Sequence, residues 1–312
     1  MHIIMILFFA LTILSCGGSS AGVKPDYVPA GPVQERILTE ARVYEANAFD
    51  QYENRDYQPA IGNYQTALRL LTLIDNQQEI ALVRHNMANV LIALHNHTGA
   101  ENEIELSLRA NRSFEYPLRI AANLASLGTI YEARSDLDKA LSYYSEALDL
   151  LLKNRGSANM TARQYNNCGY ILLKQKKYDE AKKQFDLALS KAKSAYAHLE
   201  AGAAYSGIGK YQFEMKQMDL ALRSFGNALI AYKAAESSEN IAISLKDLAL
   251  TYEAQGDTGK AIDHTERAYN INRMLQLENR WRQDLDVLIR LHTNAGNTAR
   301  AEEYRRLLRS GR

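Results

Sequence analysis

Few side chains in this sequence stand at the spacings that catalysis or metal binding requires. There is no phosphate-binding loop and no His-Glu-x-x-His. His95 and His97 offer two imidazoles to a metal, but they fall in a predicted turn with no third ligand nearby in the sequence. Gly207-Ile208-Gly209 looks like part of a nucleotide-binding turn, but no strand is predicted before it. The sequence therefore predicts no catalytic, cofactor-binding or metal-binding residue, and a protein that is not an enzyme.

The N-terminus carries a different kind of chemistry. The apolar run Ile3–Leu14 is too short to span a bilayer and is typical of a secretory signal peptide. Ile13-Leu14-Ser15-Cys16 resembles the lipobox of bacterial lipoproteins. The resemblance implies a lipoprotein signal peptide over residues 1–15 and acyl chains such as palmitate on Cys16; the alternative is an ordinary secretory signal with a chance cysteine. Gly17 implies, by analogy with that family, sorting to the outer membrane of a diderm bacterium.

A tether is predicted next, over residues 16–34. The segment is rich in Gly, Ser and Pro and has no apolar period, so it cannot build a core. Its reach is roughly 20–25 Å for a flexible chain of that length. If Cys16 is lipidated, residues 35–312 sit close to a membrane surface as one helical domain. Cys168 is the one cysteine in that domain and is predicted to be a buried small hydrophobe.

The elements of that domain are clearest between Leu124 and Leu148. Leu124, Leu127, Gly128 and Tyr131 recur at helical spacing, and Ala140, Tyr144 and Ala147 do so after a break. Ser135-Asp136 forms the break and can cap the second helix. The pattern predicts a hairpin of two helices in which small residues face large aromatic ones.

The same hairpin recurs along the chain at a nearly constant step. The first small residue of each second helix is an alanine, and these are Ala60, Ala100, Ala140, Ala181, Ala221, Ala261 and Ala301. Successive steps are 40 residues, with a single step of 41 between Ala140 and Ala181. Such regularity predicts an array of about seven helical hairpins.

The pattern resembles the tetratricopeptide repeat (TPR) family, with its apolar-x-x-apolar-small-x-x-aromatic first helix and its Ala, aromatic and Ala on the second. The resemblance implies an all-α fold, a right-handed α-α superhelix. The usual step is ~34 residues, so a step of 40 predicts longer helices, by about one and a half turns per repeat at ~3.6 residues per turn. The TPRs of kinesin light chains are similar, and Tyr165-Asn166-Asn167 lies in the register of their paired groove asparagines.

In a TPR array the first helix of each hairpin lines a concave groove, and the resemblance therefore supplies candidate groove residues. They are His85, Asn86, Asn89, Asn166, Asn167, Tyr170, Lys210, Lys246, Asp247 and Arg290. The asparagines carry both a donor and an acceptor and suit the backbone of an extended peptide. The lysines and Arg290 suit a carboxylate. The alternative is a solvated inner face without a ligand.

Charge excludes one class of partner. The chain has 37 basic and 36 acidic residues, and hence no broad electrostatic footprint for nucleic acid. We therefore predict a non-enzymatic scaffold or assembly adaptor of the cell envelope, anchored by lipid at the outer membrane, facing the periplasm and binding a protein or peptide. The alternative is a solute-binding or sensory lipoprotein that serves an envelope transporter. The sequence leaves the partner and the oligomeric state open.

Overall fold

The computed structural model describes residues 31–310, and within that range it contains fourteen α-helices and no strand. The signal peptide, Cys16 and nearly all of the predicted tether lie outside the described residues. The helices are α1 Pro32–Glu53, α2 Tyr57–Leu73, α3 Gln77–Ala93, α4 His97–Ser113, α5 Pro117–Ala133, α6 Leu137–Lys153, α7 Ala158–Lys174, α8 Tyr178–Ser194, α9 His198–Glu214, α10 Met218–Ala234, α11 Ser238–Ala254, α12 Thr258–Met274, α13 Glu278–Asn294 and α14 Thr298–Ser310. None of them is both long enough and apolar enough to span a bilayer.

The helices pair into seven hairpins, which confirms the predicted all-α solenoid. Each helix from α2 to α13 has 17 residues, and all connectors but one have three residues, so the half-step is 20 residues. The exception is the connector between α6 and α7, whose fourth residue accounts for the step of 41. The first helix starts at Pro32, three residues before the predicted start of the domain, because a proline suits the first helical turn.

Each connector reverses the chain through one residue in the left-handed region. Between α5 and α6 that residue is Ser135, at φ 63°. Its N–H donates to the carbonyl of Glu132, and the N–H of Asp136 donates to the carbonyl of Tyr131, both at 2.9 Å. These bonds satisfy carbonyls left free at the end of a helix. The Asp136 side chain then accepts from the N–H of Lys139, which confirms the predicted cap.

Small residues face aromatic rings inside the hairpins, as predicted. The ring of Tyr144 lies against Gly128, where a Cβ atom would come within 2.5 Å of it. Phe185 is enclosed more tightly, between Gly169 of its own hairpin and Gly207 of the next. Because no side chain larger than hydrogen fits at these positions, the two helices approach closely and the ring fills the space beside them.

The stacked hairpins wind far enough for the array to touch itself. The Arg55 guanidinium, in the connector after α1, donates to the Glu239 carboxylate of α11 at 2.5 Å. Arg280 of α13 reaches the other oxygen of Glu239 at 2.7 Å. The residues of the first contact are 184 apart, about 4.6 repeats, so the superhelix comes round within five hairpins. We call these three side chains the clasp.

Candidate binding groove

The predicted groove residues all lie on the first helices of their hairpins. Asn166, Asn167 and Tyr170 of α7 line one cavity, between α7 and α9. Lys246, Asp247 and Arg290 line a second cavity, between α11 and α13. The candidates on α3 line neither cavity, and Lys210 stands between the two. The structure therefore divides the predicted groove into two sites.

The α7–α9 cavity has a volume of about 200 Å³ and is built around Asn166. This side chain is 3% exposed, and its Nδ2 donates to the backbone carbonyl of Glu200 at 2.9 Å. A carbonyl oxygen only accepts, so this bond fixes the orientation of the amide. The Asn166 Oδ1 atom is buried without a hydrogen-bond partner among residues 31–310. A buried acceptor in that state favours a ligand that brings an N–H or O–H donor.

Polar neighbours of Asn166 are held by other contacts. The Tyr170 hydroxyl donates to the backbone carbonyl of Ala203 at 2.8 Å, and burial raises the pKa of Tyr170. Arg163 donates to one oxygen of Glu200 at 2.7 Å from Nη2 and 3.2 Å from Nε. Sequence reasoning missed Arg163 and Glu200, although a basic and an acidic residue 37 positions apart are placed to pair across neighbouring repeats. Their charges cancel at the edge of the cavity.

The basic groove candidates also have partners within the chain. Lys210 lies 3.9 Å from Asp247, and Lys246 lies 3.1 Å from Asp284. Arg290 forms a two-pronged pair with Glu253, with Nη2 at 3.0 Å from Oε2. Each pair joins first helices of adjacent hairpins. A ligand carboxylate, which the sequence predicted for these cations, would have to compete with those partners.

Asp247 lies close to Ser206 and Lys210, which are both on α9. It accepts from the Ser206 hydroxyl at 3.3 Å. Burial raises the pKa of Asp247, and the nearby Lys210 opposes that shift.

The α3 candidates belong mainly to a buried polar network. The ring nitrogens of His85 lie 3.3 Å from the amide groups of Asn89 and Asn123. Asn123 also donates to Ser107, whose hydroxyl donates to the backbone carbonyl of Ala81. Burial lowers the pKa of His85 to about 4, so the ring is neutral at pH 7. The network joins the second and third hairpins.

Residues suited to other chemistry are separated or buried. His95 and His97 lie at the α3–α4 connector with ring centroids 6.0 Å apart. In the described part of the chain no three His, Cys, Asp or Glu side chains are grouped as metal ligands would be. Cys168 is buried in the hairpin core, and burial raises the pKa of its thiol to about 11.

Comparison with known proteins places this architecture. Residues 118–194 and 200–274 match a family model described as Tetratricopeptide repeat. Aspartyl phosphate phosphatase F from Bacillus subtilis is 13% identical, with a TM-score of 0.69 over 90% of this chain and 72% of that one. The apo quorum sensor NprR from B. thuringiensis is 14% identical, with a TM-score of 0.67 over 89% of this chain and 78% of that one.

A further similar structure contains a bound peptide. It is the Rap conjugation gene regulator of the plasmid pLS20 in complex with the Phr* peptide. It is 16% identical, with a TM-score of 0.61 over 94% of this chain and 79% of that one. At these identities the likeness shows the fold alone. No curated protein sequence matches the chain significantly.

Proposed function

Residues 118–274 contain tetratricopeptide repeats, and on that basis we propose that the chain is a non-enzymatic interaction scaffold that binds an extended peptide along its inner face. The observation that carries the proposal is the buried, unpartnered Oδ1 of Asn166, because a peptide backbone presents an N–H at every residue except proline. The neighbouring Asn167 adds a second amide at the same site. The peptide-bound pLS20 regulator supports the use of such a fold for peptide recognition.

The solute-binding alternative has weaker support. Pockets for small ligands usually have volumes of about 300–1,000 Å³. The two inner cavities measure about 200 and 230 Å³ and open onto the groove. Each suits one side chain or one backbone segment of a longer ligand better than a whole solute. The fold likeness to phosphatase F carries no activity to this chain at 13% identity.

We further propose that the scaffold works in the cell envelope, held by lipid on Cys16 at the outer membrane and facing the periplasm. The support is the Ile13–Cys16 segment and the Gly-, Ser- and Pro-rich stretch after it. Mass spectrometry of the mature N-terminus in a diderm host tests this. We expect a chain that begins at acylated Cys16. An uncleaved Met1 or an unmodified cysteine would remove the lipoprotein assignment and leave the peptide-binding proposal standing.

Peptide binding is tested by crosslinking capture in the native host with the Asn166→Ala/Asn167→Ala variant beside the wild type. Removing the two amides takes away the acceptor and should weaken partner binding by about tenfold, the value of one or two buried hydrogen bonds. Asn227→Ala is the matched control, because Asn227 is exposed on α10, an outer helix. Unchanged capture by the double variant, with circular dichroism like that of the wild type, would refute the assignment of the site.

A further inference from the structure

The aromatic position of the repeat is empty of a ring in the sixth hairpin. The corresponding residue is aromatic in the first, third, fourth and fifth hairpins: Tyr64, Tyr144, Phe185 and Phe225. In the sixth hairpin it is Thr265, whose hydroxyl donates to the Ala261 carbonyl of its own helix at 2.7 Å. Thr265 therefore presents its methyl group where four of the other hairpins place a ring.

The missing ring leaves a space that opens to the groove. The α11–α13 cavity has a volume of about 230 Å³, and Thr265, Ala249 and Val287 are among the residues that line it. Leu250 and Leu291 add apolar walls, and Leu250 is 52% exposed without a ligand. An apolar cavity of about 150 Å³ is enough to hold benzene. The space therefore accommodates the ring of one large side chain.

Four of the five charged side chains that line this cavity pair with one another, and the fifth, Asp247, lies 3.9 Å from Lys210. Lys246 faces Asp284, and Arg290 faces Glu253. An ionic ligand would have to break one of these pairs, and the remaining partner would lose its counter-charge. An uncharged side chain disturbs neither. Electrostatics thus favours a neutral occupant.

One buried acceptor indicates which kind of neutral side chain fits the cavity. Asp284 is fully buried, and its Oδ2 accepts from Asn272 at 2.6 Å. Its Oδ1 is paired with the Lys246 ammonium at 3.1 Å and accepts no hydrogen bond from any other group among residues 31–310, so it can still accept one. A ring that carries its own N–H or O–H group can supply that bond.

We propose that the α11–α13 cavity is an anchor site for one tryptophan or tyrosine side chain of the peptide held in the groove. The inference rests on the proposed peptide-binding function and adds a sequence preference to it. The anchor lies two hairpins beyond the Asn166 site, or about 20 Å at ~10 Å between packed helices. An extended chain covers that distance in about six residues. The peptide thus places its aromatic residue about six positions from the segment whose backbone meets Asn166.

The test selects ligands from a phage-displayed library of random twelve-residue peptides on the full chain, then measures the affinity of the selected peptides by fluorescence polarisation. We expect enrichment of one Trp or Tyr. Replacing that residue by alanine in the peptide should weaken binding by about tenfold or more, as burial of a large apolar side chain predicts. The Ala249→Gly/Thr265→Phe variant rebuilds the glycine–ring pair of the other hairpins and should show the same loss for the unchanged peptide.

Two controls keep the outcomes separate. Leu250→Asn changes an exposed wall of the cavity without touching the core, so this variant should fold and should also weaken binding. It therefore tests the cavity even if the Ala249→Gly/Thr265→Phe variant does not fold. Asn227→Ala, on the outer face, should bind as the wild type does. Selected peptides without an aromatic residue, or equal affinity for wild type and cavity variants, would overturn the anchor and leave peptide binding in place. Failure of the wild type to select any peptide would overturn both proposals.

Discussion

Adding one methyl group at Gly207 tests the packing on which the array depends. A Cβ atom at this position would lie 2.3 Å from the Phe185 ring, well inside van der Waals contact. The ring cannot withdraw, because a Cβ at Gly169 on its other side would already be 2.7 Å away. Phe185 is fully buried, so it has no exposed alternative position. Gly207→Ala must therefore displace the ring or separate the fourth hairpin from the fifth.

The expected cost is the difference between two opposing effects. Overpacking a core by one methyl group costs about 1–3 kcal/mol. Replacing a mid-helix glycine by alanine recovers about 0.5–1 kcal/mol. Gly207→Ala should thus lower the free energy of unfolding by about 1–2 kcal/mol. The midpoint of thermal unfolding should fall by ~2–4 °C for each kcal/mol.

The chain offers a matched control in Gly226→Ala. Gly226 also lies inside a helix, α10, but a Cβ there would have no neighbour within 4 Å. This substitution should raise the free energy of unfolding by about 0.5–1 kcal/mol, because only the helix propensity changes. Urea denaturation followed by circular dichroism measures both variants. Phe185→Leu in the Gly207→Ala background should restore part of the loss by making room.

Opposite signs for the two glycine variants are the essential result. If Gly207→Ala were as stable as Gly226→Ala, the ring of Phe185 would not be confined as the structure shows. A loss in Gly207→Ala that Phe185→Leu failed to reduce would also refute the reasoning, because the cost would then arise elsewhere.

Three other predictions follow from charge and burial. Burial raises the pKa of Glu45 to about 7, so its contribution to stability is fullest below pH 4.5 and is lost as pH rises through 7. The free energy of unfolding measured in urea should therefore fall between pH 5 and 8, by up to about 3 kcal/mol. Glu45→Gln should remove this fall. The pKa of about 11 at Cys168 predicts negligible alkylation in the folded chain at pH 8, which peptide mass mapping would contradict by showing rapid labelling. Glu239→Lys repels Arg55 and Arg280 and should enlarge the radius of gyration in X-ray scattering at low salt, and an unchanged radius would show that the clasp does not hold the coil.

Much of the fold was predictable because each hairpin repeats the same residue pattern at a nearly constant step. Alanines at a 40-residue step mark where helices touch. The step of 41 before Ala181 indicates one extra residue, which the structure places in the α6–α7 connector. The connectors were less visible. Their left-handed residue is glycine only at Gly256 and Gly296, so composition gives little signal. The backbone hydrogen bonds of the turn outweigh a strain of about 1 kcal/mol at each other connector.

The positions of the site residues were predictable from the sequence, but the groups that they contact were not. Counting along the repeat placed Asn166 and Lys246 on the inner face, because helical spacing alone decides which way a side chain points. It did not show that Lys246 already faces Asp284, since that pairing depends on how two first helices align across a repeat boundary. The unpartnered Oδ1 of Asn166 was equally hidden, because only the bond from its Nδ2 to the Glu200 carbonyl reveals which way the amide turns.

The contact between Arg55 and Glu239 means that the number of repeats decides whether the coil can come round to touch itself. Helical arrays gain and lose whole repeats, and each remaining hairpin still contacts only its neighbours when they do. An array of four hairpins would end before its coil had come round. Loss of one internal 40-residue unit from this chain would bring Asn279 of α13 to the place now held by Glu239, and the clasp would lose the carboxylate at that position. Duplication and deletion can therefore open or close the superhelix without changing a single hairpin.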